Sequence, residues 1–176
     1  MSPSPIIEVG GGFSTLIARR ALSCFDIDCE LVVIDPEPRT DVEVAADRVV
    51  RLPVQEAPAA EITADSLLFI DSSHVTRIGG DVPFLYGQLL AAVPAGVLVH
   101  VHDVFIPYDY PPAGTRYLWT EQYLLEALLS HAPRYEVRFA THWMSRTHPR
   151  LMQELISPAV AADPLHYGAS FWFEVV

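Results

Sequence analysis

Seven short apolar runs divide this chain, and the first five stop at a glycine, a proline or an acid. They are Pro5–Val9, Glu30–Asp35, Arg48–Leu52, Ser66–Asp71, Ala95–His102, Tyr135–Thr141 and Ala169–Val176. Each has the length and β-branched content of a strand, and none approaches the roughly 20 residues that cross a bilayer. Helical patterns lie between them. Phe13 to Ser23 reads as a helix with Ser14 placed to cap it, and 41–47 as a short one. After Gly79-Gly80, the residues Val82, Leu85, Tyr86, Leu89, Leu90 and Val93 recur at three- and four-residue spacing, with Asp81 as a cap and Pro83 in the first turn. Thr120 to His131 carries Leu124, Leu125, Leu128 and Leu129 on one stripe, and 146–156 is a weaker helix crossed by Pro149. Strands that alternate with helices predict an α/β fold with a mostly parallel sheet covered on both faces. The last two strands are separated by one short helical segment, so the C-terminal strand is expected to run antiparallel. One domain over 1–176 follows.

Composition narrows the function classes. The 176 residues hold 11 Lys plus Arg against 22 Asp plus Glu, a formal net charge of −11. Such a surface is wrong for neutralising nucleic-acid phosphates or docking on anionic lipid. Apolar residues make up 51%, too many for a disordered chain. The N-terminus, MSPSPIIEVG, lacks the basic start and long apolar segment of a secretory signal. Cys24 and Cys29 form neither a disulfide framework nor a four-ligand zinc site, and read as free thiols. A cytoplasmic protein is expected, with no nucleic-acid partner and no membrane.

In a doubly wound sheet, ligands bind at the carboxyl ends of the strands. After the first strand comes Gly10-Gly11-Gly12, which lets a ligand approach the backbone before a helix N-terminus. After the second comes Asp35, an acceptor suited to two ribose hydroxyls. The pair points to a nucleoside cofactor. Thr15 stands where a dinucleotide fingerprint needs its third glycine, and no Gly-Lys-Ser/Thr P-loop is present. The chain contains no lysine, and hence no Tyr-x-x-x-Lys pair, which counts against an oxidoreductase. A cofactor without a pyrophosphate fits better.

The motifs together resemble a known family. IIEVGGGFSTLIA is similar to the first motif of class I S-adenosylmethionine-dependent methyltransferases, and LVVIDPEP to the second. LLFIDSSHV, GVLVHVHDVFIPYDYP, WTEQYLLEALL and SFWFEVV resemble a bacterial small-molecule branch of that family, mostly of unassigned substrate. The resemblance implies a Rossmann-like, doubly wound, mostly parallel seven-stranded sheet with an antiparallel C-terminal strand, and S-adenosylmethionine as cofactor. It places Glu8, Gly10, Gly12 and Ser14 along the methionine and ribose portion. It puts Asp35 on the ribose hydroxyls with Pro36 beside the adenine, Gln55 and Glu56 near the adenine amino group, and Asp71 and Ser72 facing the sulfonium. It implies methyl transfer to a small-molecule acceptor, most simply at oxygen. The alternative is a non-catalytic S-adenosylmethionine- or S-adenosylhomocysteine-binding module of the same fold.

Asp71, His74, His102 and Asp103 close two strands expected to be neighbours. His74 or His102 can act as general base beside Asp103. Alternatively Asp71, His102 and Asp103 hold a divalent cation, although Val104 stands where the metal-dependent relatives place a further acid, or the cluster is purely structural. His100 reads as a satisfied core histidine, and His131, His142, His148 and His166 as surface or packing residues. Trp119, Tyr108, Tyr110 and Trp143 either wall an acceptor pocket or pack the loop. Asp26, Asp28 and Glu30 read as a solvated turn. The lead-in before Ile6 is too short for the N-terminal cap that many relatives carry. A homodimer, an open cofactor site, or a start codon downstream of the true one is therefore expected.

Overall fold

A β-branched run followed by a helix returns parallel to itself only by crossing one face of the sheet. The chain makes four parallel crossovers before it reverses. The computed structural model describes residues 5–57, 62–155 and 168–176. Strands β1 (Ile6–Val9), β2 (Leu31–Ile34), β3 (Arg48–Val50), β4 (Leu67–Ile70), β5 (Leu98–Val101), β6 (Tyr135–Ala140) and β7 (Phe171–Val175) form one sheet in the order β3-β2-β1-β4-β5-β7-β6. The pairs among β1 to β5 are parallel, and β7 runs antiparallel between β5 and β6. Among the described residues, the crossovers from β1 to β2 and from β4 to β5 carry an α-helix. The chain steps outward from β1 to β3 and then returns to lay β4 beside β1. The point where the order reverses lies between β1 and β4, and Gly10 and Asp71 stand on its two sides.

Side chains alternate across the sheet. Ile7, Val9, Val32, Leu68, Ile70, Val99 and Val101 enter the main core with Val82, Leu85, Leu89, Leu90 and Leu125. Their helical partners come from a continuous helix over 81–92 and from α4 (Glu121–His131). All six positions expected to face the core between Val82 and Val93 are buried. The 81–92 helix is α-helical at α2 (Asp81–Phe84) and α3 (Leu90–Ala92), with a π-helical turn over Leu85–Leu89 between them. On the other sheet face Ile6 and Leu31 pack with Leu22 of α1 (Phe13–Cys24) and with Cys29. α1 leaves Phe13 74% and Ile17 68% exposed.

Several local expectations are corrected. The N-cap of α1 is Gly12, and Ser14 lies inside the helix. Segment 41–47 contains only a 3-10 turn, Val42–Val44. Two helices, α5 (Thr141–Thr147) and α6 (Pro149–Leu155), stand where one was expected. Pro149 opens the second instead of breaking the first, because a first-turn proline loses no intrahelical bond. On the edge strand β6, Val137 is 50% exposed although it keeps register with Phe173, and a bulge between Val137 and Phe139 then shifts the register and breaks the expected alternation. No described helix is long and apolar enough to cross a membrane.

Candidate functional site

The glycine turn is built by exclusion. Gly10 has φ +92°, and a Cβ there would sit 1.8 Å from the Asp71 carbonyl oxygen. Only glycine lets β1 and β4 close at this point. At Gly12 a Cβ would meet nothing within 4 Å, so that position borders open space. Glu8 is buried, and its carboxylate accepts from the hydroxyls of Ser14 and Thr15, each at 2.5 Å. Burial pushes the Glu8 carboxyl above its ordinary range, against those two hydrogen bonds. Thr15 also accepts from the Gly12 N–H at 3.1 Å. A third glycine would lose both bonds, which explains threonine at that position. Glu8 and Ser14 therefore fasten α1 to the turn.

Asp35 ends β2, and its two carboxylate oxygens accept from the Gly11 N–H and the Glu37 N–H, both at 2.8 Å. A carboxylate has about four lone-pair directions, so two remain for ribose hydroxyls. Pro36 is exposed beside it. Gln55 donates from Nε2 to the Gly79 carbonyl at 2.9 Å, while its Oε1 is buried with no hydrogen-bond partner among the described residues. Glu56 is exposed next to it. Asp81 does not cap its helix. It accepts from the Ser73 N–H at 2.7 Å and the Ser73 hydroxyl at 2.6 Å, which folds the loop after β4 back past Ser72.

Both pairs of acids and histidines do converge at the ends of β4 and β5. His74 Nε2 lies 3.2 Å from Asp71 Oδ1 and 3.8 Å from Asp103 Oδ2. His74 Nδ1 lies 2.7 Å from Glu121 Oε2. His102 Nδ1 is 3.3 Å from Asp103 and 3.7 Å from Asp71. His74 and Asp103 take φ +58° and +57°, left-handed conformations that non-glycine residues rarely adopt. Burial alone would lower the His74 pKa. Its hydrogen bonds to Asp71 and Glu121, and the charges of both, outweigh that and push it up to about 10. Burial likewise would raise Asp71, but the hydrogen bond from His74 and the neighbouring imidazoles hold it below its ordinary range. The set that brings ligand atoms within 4.8 Å of one another is Asp71, His74 and Asp103, so His74 stands where His102 was expected. Its Nε2 edge faces both carboxylates, closer to Asp71 than to Asp103. A charged His74 stabilises the fold fully below its ordinary 6.5, and that contribution is lost as pH rises through about 10. The stability advantage of wild type over His74→Gln in urea denaturation is therefore expected to shrink across this window. A flat difference would show that His74 is not charged in the fold.

Sequence reasoning did not find Glu121, which is 0% exposed, or Tyr86, whose hydroxyl donates to Glu121 Oε1 at 2.8 Å. Trp119 does face the cluster, with its ring 5.0 Å from His74, 6.0 Å from Tyr110 and stacked on Tyr117 at 4.9 Å. Tyr108 lies under the Arg146 guanidinium. Trp143 is elsewhere, in an apolar groove of about 510 Å³ between α4, β6 and α5. His100 is in the core, but it is not satisfied. Both ring nitrogens lack hydrogen-bond partners among the described residues, and the ring is packed between Phe69 and Trp172 at 4.2 and 4.5 Å. Burial drives its pKa down to about 3, so it is neutral. His131 bonds a helix carbonyl, His142 packs on Phe105, and His148 lies against Thr147. His166 lies outside the described residues.

No protein-family model and no curated protein matches the chain. Solved structures do. The chain superposes over 99% of its length on LepI in complex with SAM, at a TM-score of 0.58 and 12% identity, and spans 43% of that chain. It also overlays on the antibiotic-resistance methyltransferase Kmr, at a TM-score of 0.46 and 18% identity, covering 99% of this chain and 88% of Kmr. A third match is Haemonchus contortus phosphoethanolamine N-methyltransferase 2 in complex with S-adenosyl-L-methionine, at a TM-score of 0.45 and 13% identity, covering 99% and 49%. The strand order, the antiparallel β7 and the LepI superposition agree: this chain has the class I S-adenosylmethionine-dependent methyltransferase fold.

Proposed function

We propose that the protein transfers the methyl group of S-adenosylmethionine to a hydroxyl of a small-molecule acceptor, with His102 as general base. The observation that carries this reading is the pairing of an open glycine turn at Gly12 with a charged cluster one strand away, at Asp71, His74, His102 and Asp103. The cofactor fits the residues present. Asp35 has acceptor capacity left for the ribose, and Gln55 Oε1 has no hydrogen-bond partner among the described residues. The net charge of −11 favours a small acceptor over a nucleic acid.

When bound, S-adenosylmethionine supplies an activated methyl; attack by the acceptor oxygen breaks the methyl–sulfur bond, and its electron pair goes to sulfur. The Asp71 carboxylate is placed to favour the sulfonium charge. His74 holds a proton through the neutral range, so it does not accept another, and it offsets part of the charge of Asp71 and Asp103, leaving the cluster net negative towards the sulfonium. His102 has a side chain 42% exposed to the cleft, and it takes the acceptor's proton. Trp119 and Tyr110 form the wall against which the acceptor lies. Most of the acceleration comes from holding oxygen and methyl in line. A charged His74 offsets part of the negative charge of Asp71 and Asp103, and in that state the reading needs no divalent cation.

Calorimetry tests the reading. Wild type is expected to bind S-adenosylmethionine equally with and without Mg²⁺, and Asp35→Ala to weaken that binding by about 30- to 100-fold through two lost hydrogen bonds. Unchanged affinity in Asp35→Ala would remove the ribose assignment. A Mg²⁺ requirement would instead make Asp71, His74 and Asp103 cation ligands. No binding by wild type would end the proposal.

A further inference from the structure

We propose that Glu121 is a positioning residue for this reaction: by fixing the Nδ1 edge of His74 it holds the Nε2 edge against Asp71 and Asp103. The inference rests on the transferase reading above and adds a residue that touches none of the reacting atoms.

Glu121 is 0% exposed, and a buried carboxylate is costly unless its oxygens are satisfied. Each oxygen has one partner. Oε2 meets His74 Nδ1 at 2.7 Å, and Oε1 accepts from the Tyr86 hydroxyl at 2.8 Å. Glu121 is also the first residue of α4, where the helix N-terminus favours negative charge. Three elements that are distant in sequence meet at this carboxylate: the loop after β4, the π-helical turn and α4. Main-chain bonds tie the same elements. The His74 carbonyl accepts from the Thr120 N–H at 2.8 Å and the Glu121 N–H at 3.1 Å. The loop is therefore anchored without the side chain. What the side chain adds is the orientation of one imidazole, whose other edge faces the two acids at the cleft.

Glu121→Gln separates these contributions. Glutamine keeps the volume, and its oxygen can still accept from Tyr86. Turned the other way it can still accept from His74 Nδ1–H, but as a neutral acceptor without the charge that strengthens the bond. Proton NMR of wild type with S-adenosylhomocysteine is expected to show a far-downfield His74 Nδ1 proton, absent in Glu121→Gln and retained in Tyr86→Phe. S-adenosylhomocysteine release from a panel of small phenols, catechols and sugars is expected to show kcat about 10- to 100-fold lower in Glu121→Gln, the rate equivalent of one charged hydrogen bond. KM for S-adenosylmethionine should stay within about twofold, because the cofactor is held from β1 and β2. A purely structural role would lower thermal stability and leave kcat of the folded fraction intact, which would overturn the proposal. So would a downfield proton that persists in Glu121→Gln, or its absence from wild type, a result readable even if the variant fails to fold. The resonance needs no methyl transfer, so its absence from wild type refutes positioning, whereas failure of wild type to bind cofactor refutes the transferase reading.

Discussion

Gly10→Ala is expected to destabilise the protein by roughly 2–5 kcal/mol and to abolish cofactor binding. Two costs add. An L-residue at φ +92° leaves the comfortable region of backbone space, at about 1–2 kcal/mol. The new Cβ would also lie 1.8 Å from the Asp71 carbonyl oxygen, and backbone cannot swing aside as a long side chain can. Relief requires β1 and β4 to part at the point where the strand order reverses. Asp71 would then leave its place between His74 and His102, so site and fold fail together. Gly12→Ala is the control. Its φ of −174° is extended backbone open to any residue, and the added methyl meets nothing within 4 Å. Its stability should stay within about 0.5 kcal/mol of wild type, while the methyl intrudes on the cofactor side of the cleft. Urea denaturation of both variants, with calorimetry of the folded one, checks the contrast. Equal stability of the two would show that the approach of Gly10 to Asp71 is not what closes the turn.

The parts of the fold that were legible in the sequence are those governed by one local rule. The helix over 81–92 could be read because its buried residues follow a helical period, and each of them is buried. The first five strands could be read because β-branched runs stop at turn-forming residues. The strands at β6 and β7 could be read as well; what could not be read is the bulge between Val137 and Phe139, which breaks the alternation on which the β6 reading rests. The cap of α1 was misplaced because Ser14 is a good capping residue whose hydroxyl is used instead by buried Glu8, a competition that the sequence does not display. α5 was missed because Thr141, His142, Ser145 and Thr147 are weak helix formers, held there by packing and by the tie of Thr141 to Ser170.

The site divides in the same way. Asp71, His74, His102 and Asp103 were found together because β4 and β5 were expected to be neighbours, and their ends inherit that proximity. Their separate roles were not legible. His74 and His102 are alike in sequence. They differ in what lies behind them: a buried carboxylate 47 residues away for His74, and the open cleft for His102. The cation site changed its histidine for the same reason, because His74 turns its Nε2 edge inward once Glu121 holds the other edge.

His102→Ala is expected to lower kcat by about 10²- to 10⁴-fold, the usual contribution of a positioned base, while S-adenosylmethionine affinity stays within about twofold. The pH dependence gives the assignment its sign. The approach of Asp103 raises the His102 pKa, burial opposes it, and Asp71 and Asp103 add their charges against that of His74, for a net shift above the ordinary 6.5. A base works only when deprotonated. Wild-type kcat should therefore climb with pH through a limb displaced upward from 6.5. Asp103→Asn removes the largest upward influence and should slide that limb to lower pH, and His102→Ala should erase it. His74 cannot produce the limb, because its own proton leaves only near pH 10. S-adenosylhomocysteine release between pH 5.5 and 9, an interval of about three units around the histidine range, measures all three profiles. A limb that survives in His102→Ala would transfer the base role to another group, and an Asp103→Asn limb that moves upward would reverse the electrostatic argument on which His102 was chosen.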